Sequence, residues 1–157
     1  MNKVKTYLIR FLVALLTLQG VVASELINIS SAHASESSVV INEVMWMGSS
    51  VSSSDEWIEL RNTTNASIDI SGWQITKVAT GGTTLTVPSE KSIPANGYFL
   101  ISNFNETSVS SILNVTPDWV TTSIAISNTC SQIDLLSALG TVTDSMGCSE
   151  TDKYFFS

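Results

Sequence analysis

Four carboxylates crowd into one short part of the chain: Glu43 in the first apolar run, then Asp55, Glu56 and Glu59 around Trp57. Paired carboxylates can divide acid and nucleophile duties at a glycosidic bond, or hold calcium through oxygen ligands. Adjacent strands would bring Glu43 near Glu56 or Glu59, so Glu43, Glu56, Trp57 and Glu59 form the candidate ligand or cation face. The plainer reading is a solvated, salt-bridged sheet face, with Glu59 turned to water beside Arg61. No Asp-x-Asp-x-Asp-Gly run supplies a chelating loop.

Other chemistry finds little support. His33 is the only histidine, and it lies in a segment expected to be removed, which leaves no imidazole for acid–base work or metal binding. Lys77, Lys91 and Lys153 are too isolated to suggest a Ser/Lys pair, and no G-x-x-x-x-G-K or G-x-G-x-x-G pattern occurs. The chain is therefore read as not an enzyme, with no cofactor and no metal centre. Four tryptophans, Trp46, Trp57, Trp73 and Trp119, would either build an aromatic platform for sugars or fill a core. Trp73 is assigned to the core. Trp57 alternates away from Ile58 and Leu60, so its exposure decides whether the acidic face binds a ligand.

Cys130 and Cys148 are the only cysteines. A hairpin turning at Ser137 to Gly140 brings them within one residue of facing each other, and an export route would favour their oxidation. A disulfide there would contribute about 3 kcal/mol in the chain-entropy model. Two buried thiols are the alternative.

The elements that must position these residues are short. Apolar runs of four to eight residues recur between Gly, Asn, Ser and Pro clusters, the spacing of a sandwich or barrel, and no stretch has a helical period. Val39 to Trp46 reads as a first strand, apolar on both faces and so central. Trp57 to Arg61 follows the serine-rich loop Gly48 to Ser54, with Ile58 and Leu60 on the core face. Further strands are expected at Ile68 to Thr76, bent at Ser71-Gly72, and at Thr83 to Val87, Tyr98 to Ser102, Trp119 to Ile126, Gln132 to Leu136 and Thr141 to Met146. Asn103 to Asp118 reads as a long surface connection with one helical turn around Ser110 to Leu113.

Lys3, Lys5 and Arg10 precede the apolar run Phe11 to Leu18, the layout of a secretory signal. Ala32-His33-Ala34 is the favoured cleavage site and Val21-Val22-Ala23 its rival, with an uncleaved anchor as the third reading. Residues 1–34 are thus a signal peptide, 38–148 one β-sandwich domain and 149–157 a short tail. Loss of residues 1–34 leaves four basic against thirteen acidic residues, a net charge of −9. Such a surface disfavours nucleic acid and anionic lipid, and no membrane insertion is expected after cleavage.

With these residues in view, the chain resembles the lamin tail domain family. The likeness rests on Ile41-Asn42-Glu43-Val44, Glu56-Trp57-Ile58-Glu59-Leu60-Arg61-Asn62 and Ser71-Gly72-Trp73-Gln74-Ile75. Ile93-Pro94-Ala95-Asn96-Gly97-Tyr98 and Ile126-Ser127-Asn128 before Ile133-Asp134-Leu135-Leu136 complete it, all in the family's order. No one of these motifs is specific; the ordered set of five is. The resemblance implies an all-β, immunoglobulin-like β-sandwich, and the signal segment points to the bacterial extracytoplasmic members. The coiled-coil rod that precedes the domain in lamins has no counterpart here, so no nuclear role is implied. Similar bacterial domains usually continue beyond Gly147-Cys148 with a basic, serine-containing strand, whereas this sequence ends in Tyr154-Phe155-Phe156-Ser157. In a bacterium the Asn-x-Ser/Thr matches at Asn28, Asn62, Asn65, Asn105 and Asn114 are loops rather than glycan acceptors. The expected function is a non-catalytic, secreted or cell-surface module for protein interaction or surface attachment. Its rival is a carbohydrate- or calcium-dependent surface binder using Glu43, Glu56 and Trp57. The partner would be a protein or another cell-surface component.

Overall fold

The computed structural model describes residues 37–129 and 132–147. The signal segment, both cysteines and the C-terminal tail lie outside the described residues, and so do the expectations placed on them. Ten strands form among the described residues: β1 (Val39–Met45), β2 (Trp57–Asn62), β3 (Ile68–Asp69), β4 (Gln74–Ala79), β5 (Thr83–Thr86), β6 (Ser92–Ile93), β7 (Tyr98–Ser102), β8 (Trp119–Val120), β9 (Gln132–Leu136) and β10 (Val142–Gly147). One sheet runs β1-β2-β7-β8 and a second β10-β9-β4-β5, with β3 and β6 as a small separate pair.

Alternation explains how the sheets meet. Ile58 and Leu60 of β2 lie opposite Ile101 and Phe99 of β7. These four share one buried cluster with Ile75 and Val78 of β4, Leu85 of β5, and Ile133 and Leu135 of β9. Both sheets thus bury one face each against the other, which makes the β-sandwich. Trp73 is in the same cluster, as its pattern predicted.

The first strand differs from its sequence reading. β1 is at an edge of its sheet, not at its centre. Its apolar residues fall on both sides because the register to β2 shifts between Ile41 and Glu43, leaving Asn42 as the extra residue of a bulge. The bulge lets Ile41 and Val44, three residues apart, both pack on the core.

Two other expectations are corrected. Only Trp119–Val120 of the stretch Trp119 to Ile126 is a strand, pairing in parallel with Ile101 and Ser102, while Ile124 makes a single bridge to Ala79. The stretch changes sheets partway, which strand patterning does not reveal. Ser110 to Leu113 forms no helical turn. The connection instead folds by successive turns, Ser108 N–H to Asn105 C=O at 3.1 Å and Ser111 N–H to Ser108 C=O at 3.1 Å.

Candidate functional site

Of the four candidate residues, three share one face. The ladder between β1 and β2 sets Glu43 directly opposite Glu59 and Met45 opposite Trp57. Trp57 donates its indole N–H to Glu43 Oε1 at 2.8 Å, and Asn42 donates its amide to Glu59 Oε1 at 2.6 Å. Facing like charges repel, and here each carboxylate instead takes a neutral donor. Trp57 is only 8% exposed, so its ring offers no stacking platform. Arg61 lies over the ring of Tyr98, 5.7 Å from its centroid, and forms no ion pair with Glu59. The expected salt-bridged face is therefore a hydrogen-bonded one, because the cross-strand partner of Arg61 is Tyr98.

Glu56 is separated from the other three. One residue before Trp57, it turns to the opposite side of the strand, where its carboxylate accepts the Ile126 N–H at 3.2 Å. Burial pushes the Glu56 carboxyl above the ordinary glutamate value, and the bond from Ile126 pulls weakly the other way. Across the ladder, Asn103 donates its backbone N–H to the Glu56 carbonyl at 3.1 Å. Its side-chain amide donates to Ser54 C=O and Ile124 C=O, each at 2.9 Å. Glu56 and Asn103 together clamp the segment Ile124 to Ile126, whose isoleucines are part of the core.

Asp55 is a third clamp. It is fully buried and accepts the Ile112 N–H at 2.9 Å, tying the entry of β2 to the long connection after β7. That connection rejoins β7 at Asp118, whose carboxylate accepts the Leu100 N–H at 2.8 Å. In the sequence Asp55 is one of the four crowded carboxylates of candidate chemistry, and Asn103 only the first residue of a surface connection. Each acts across a loop, and no local pattern marks such contacts. Among the described residues no three Asp, Glu, His or Cys side chains converge as a metal cluster.

The sheet edges differ in protection. On edge strand β1 the Ile41 N–H is capped by the Asp144 carboxylate of β10 at 2.8 Å. At the other side, β5 is Thr83-Thr84-Leu85-Thr86, without a charge or proline. Both backbone groups of Val87 point toward the segment that leads into β4: its N–H donates to Trp73 C=O at 2.8 Å and its carbonyl accepts the Gly72 N–H at 3.0 Å. Alternation then turns the N–H and C=O of Thr84 and Thr86 outward.

The family model for the Lamin Tail Domain matches residues 32–150. The chain belongs to the lamin tail domain family. This is a non-enzymatic, immunoglobulin-like β family, in agreement with the two packed sheets described above. No curated protein matches the chain. Within this lamin tail domain the motif Glu56 to Asn62 serves the fold at nearly every position. Ile58 and Leu60 fill the core, Glu56 clamps Ile126, and Trp57 closes onto Glu43.

Proposed function

We propose that this lamin tail domain works outside the cytoplasm as a non-catalytic module for protein interaction or surface attachment. The observation that carries this reading is the burial of Trp57 with its N–H bonded to Glu43, which removes the aromatic platform a sugar binder would need. Binding would use strand addition at the β5 edge, where uncharged threonines present outward N–H and C=O groups to an extended segment. The serine-rich loop Gly48 to Ser54 and the connection Asn103 to Asp118 are the further contact surfaces.

The test pairs a cell-surface pull-down with a glycan array, using the purified protein and a Thr84→Pro variant whose outward N–H is removed. Thr84 is exposed, and the fold of the variant is checked by circular dichroism. Capture of a protein partner that is lost in the folded variant supports the reading. Binding to a glycan with no protein captured favours the carbohydrate-binding rival and overturns it.

A further inference from the structure

The edges of the two sheets are not equally open. β1 has its Ile41 N–H taken by Asp144 of β10, an edge strand of the other sheet, which bridges the sheets on that side. β8 is only Trp119–Val120, two residues long. β5 leaves a neutral edge: among the described residues no strand pairs with its outer side, and residues 79–89 around it carry no charge.

The open backbone groups have a fixed period. Val87 bonds inward to Trp73 and Gly72, and Leu85, two residues along, lies opposite Ile75, which leaves Thr84 and Thr86 outward. The next outward position is Pro88, which has no N–H, so the usable edge is centred on Leu85. Such an edge is its own complement. A two-fold axis through Leu85 sets Thr84 of each copy opposite Thr86 of the other, and each of these pairs exchanges both N–H···O bonds. Thr84 and Thr86 are exposed, so their side chains form cross-strand threonine pairs on the solvent face, while Leu85 stays on the core side. Charge points the same way. The whole chain carries a net charge of −7, which repels a second copy, and the uncharged stretch lets it approach without like charges facing. The same neutrality gives no selection for a basic or an acidic segment.

We propose that β5 pairs antiparallel with β5 of a second copy of this chain, joining two four-stranded sheets into one continuous sheet. This occupancy rests on β5 being the binding edge proposed above, and it makes the partner a second copy. The strands that face each other are short and bury less than a standard interface, so the pairing is weak, with a Kd on the order of 0.1–1 mM.

The test is sedimentation equilibrium and amide hydrogen exchange of the purified protein across concentrations that span this Kd. T84K/T86K sets like charges directly opposite across the two-fold axis, and T84E/T86E is its charge-reversed mate. Both positions are exposed, and circular dichroism checks the fold of each variant. Reversible dimers whose Thr84 and Thr86 amides exchange more slowly as concentration rises, with Leu85 unchanged, support the pairing and need no variant. Dimerisation weakened about tenfold in T84K/T86K, and restored on mixing with T84E/T86E, supports the register. A monomer at every concentration overturns the pairing, as does a dimer indifferent to T84K/T86K. Protection of the Thr84 and Thr86 amides that does not vary with concentration also overturns it, since the edge is then covered within one chain. A monomer that captures a surface protein, with capture lost in Thr84→Pro, overturns the second copy as occupant and leaves the binding edge standing. The binding-edge reading fails separately, by glycan binding without protein capture in a monomer, and the second copy fails with it.

Discussion

Trp57 and Glu43 meet across the first two strands of the sandwich, indole N–H to carboxylate at 2.8 Å. The bond joins an exposed acid to a ring that is nearly buried on the side of β2 opposite Ile58 and Leu60. Removing the acceptor leaves that N–H without its charged partner, so Glu43→Ala should lower stability by about 1–2 kcal/mol in urea unfolding. Glu43→Gln retains an acceptor and should cost less than half as much. An E43A protein as stable as the parent would show that the bond contributes nothing to stability.

Glu56 sets a pH dependence of the opposite sense to the usual carboxylate. Its folded-state pKa is raised by burial, so the folded protein binds the proton more tightly than the unfolded chain. Its contribution is therefore neutral below the ordinary glutamate value and turns unfavourable as pH rises through the raised value. Glu56→Gln keeps an acceptor for Ile126 and should flatten this decline, leaving the protein at pH 7 at least as stable as the parent. Denaturant midpoints across the weakly acidic range decide it, and an unchanged slope would refute the assignment.

Asp134 works the other way. Hydrogen bonds from the Ser145 hydroxyl at 2.6 Å and the Gln132 amide at 2.7 Å hold its carboxyl below the ordinary aspartate value, with Lys77 adding a smaller pull. The stability it contributes is present above the ordinary aspartate value and is lost as pH falls through the lowered one. Ser145→Ala removes the leading donor and should move the Asp134 titration upward in NMR. An unmoved titration would mean that the Ser145 bond is not its cause.

The ladder between β9 and β10 reaches Gln132 opposite Gly147, two residues after Cys130 and one before Cys148. Oxidation of the pair in exported protein should show as a loss of two hydrogens in non-reducing mass spectrometry, and reduction should cost about 3 kcal/mol. Two alkylatable thiols in exported, unreduced protein would exclude the bridge.

What the sequence revealed followed from alternation and turn chemistry. Ile58 and Leu60 could be placed in the core and Tyr98 to Ser102 on a strand because those signals are local. The placement of Glu56 away from Glu59 was also contained in the period of two, but the density of acids suggested one face. The edge position of β1 was hidden, since strand order depends on which distant segments pair. The burial of Trp57 and the clamps made by Asp55 and Asn103 were hidden for the same reason. Asp55 meets Ile112 across a long loop, and no spacing rule encodes that contact.

Asn62 shows how a strand end can be fixed by one side chain. It is fully buried, and its amide group donates to Ala66 C=O at 2.7 Å, Ile93 C=O at 3.1 Å and Pro94 C=O at 2.9 Å. Its oxygen accepts from the Thr64 N–H at 2.9 Å and the Thr64 hydroxyl at 2.8 Å. One residue thus joins the end of β2, the turn after it and the start of the Pro94 turn, whose Gly97 carbonyl accepts the Asn62 N–H at 2.9 Å. In the sequence it reads as a loop residue that matches the glycan-acceptor pattern. Its burial leaves no room for a glycan, and its bonds are structural. Asn62→Ala strands several buried carbonyls and one N–H at once, so it should cost more than about 3 kcal/mol, well beyond an ordinary surface change. Asn62→Asp keeps the acceptor for Thr64 but places a carboxylate against three carbonyls, and should be as damaging or worse. Chemical denaturation of both variants checks this, with Asn65→Ala at the exposed neighbouring position expected to stay within about 0.5 kcal/mol of the parent. An Asn62→Ala loss as small as that of Asn65→Ala would mean that the strand end is held by its backbone bonds alone.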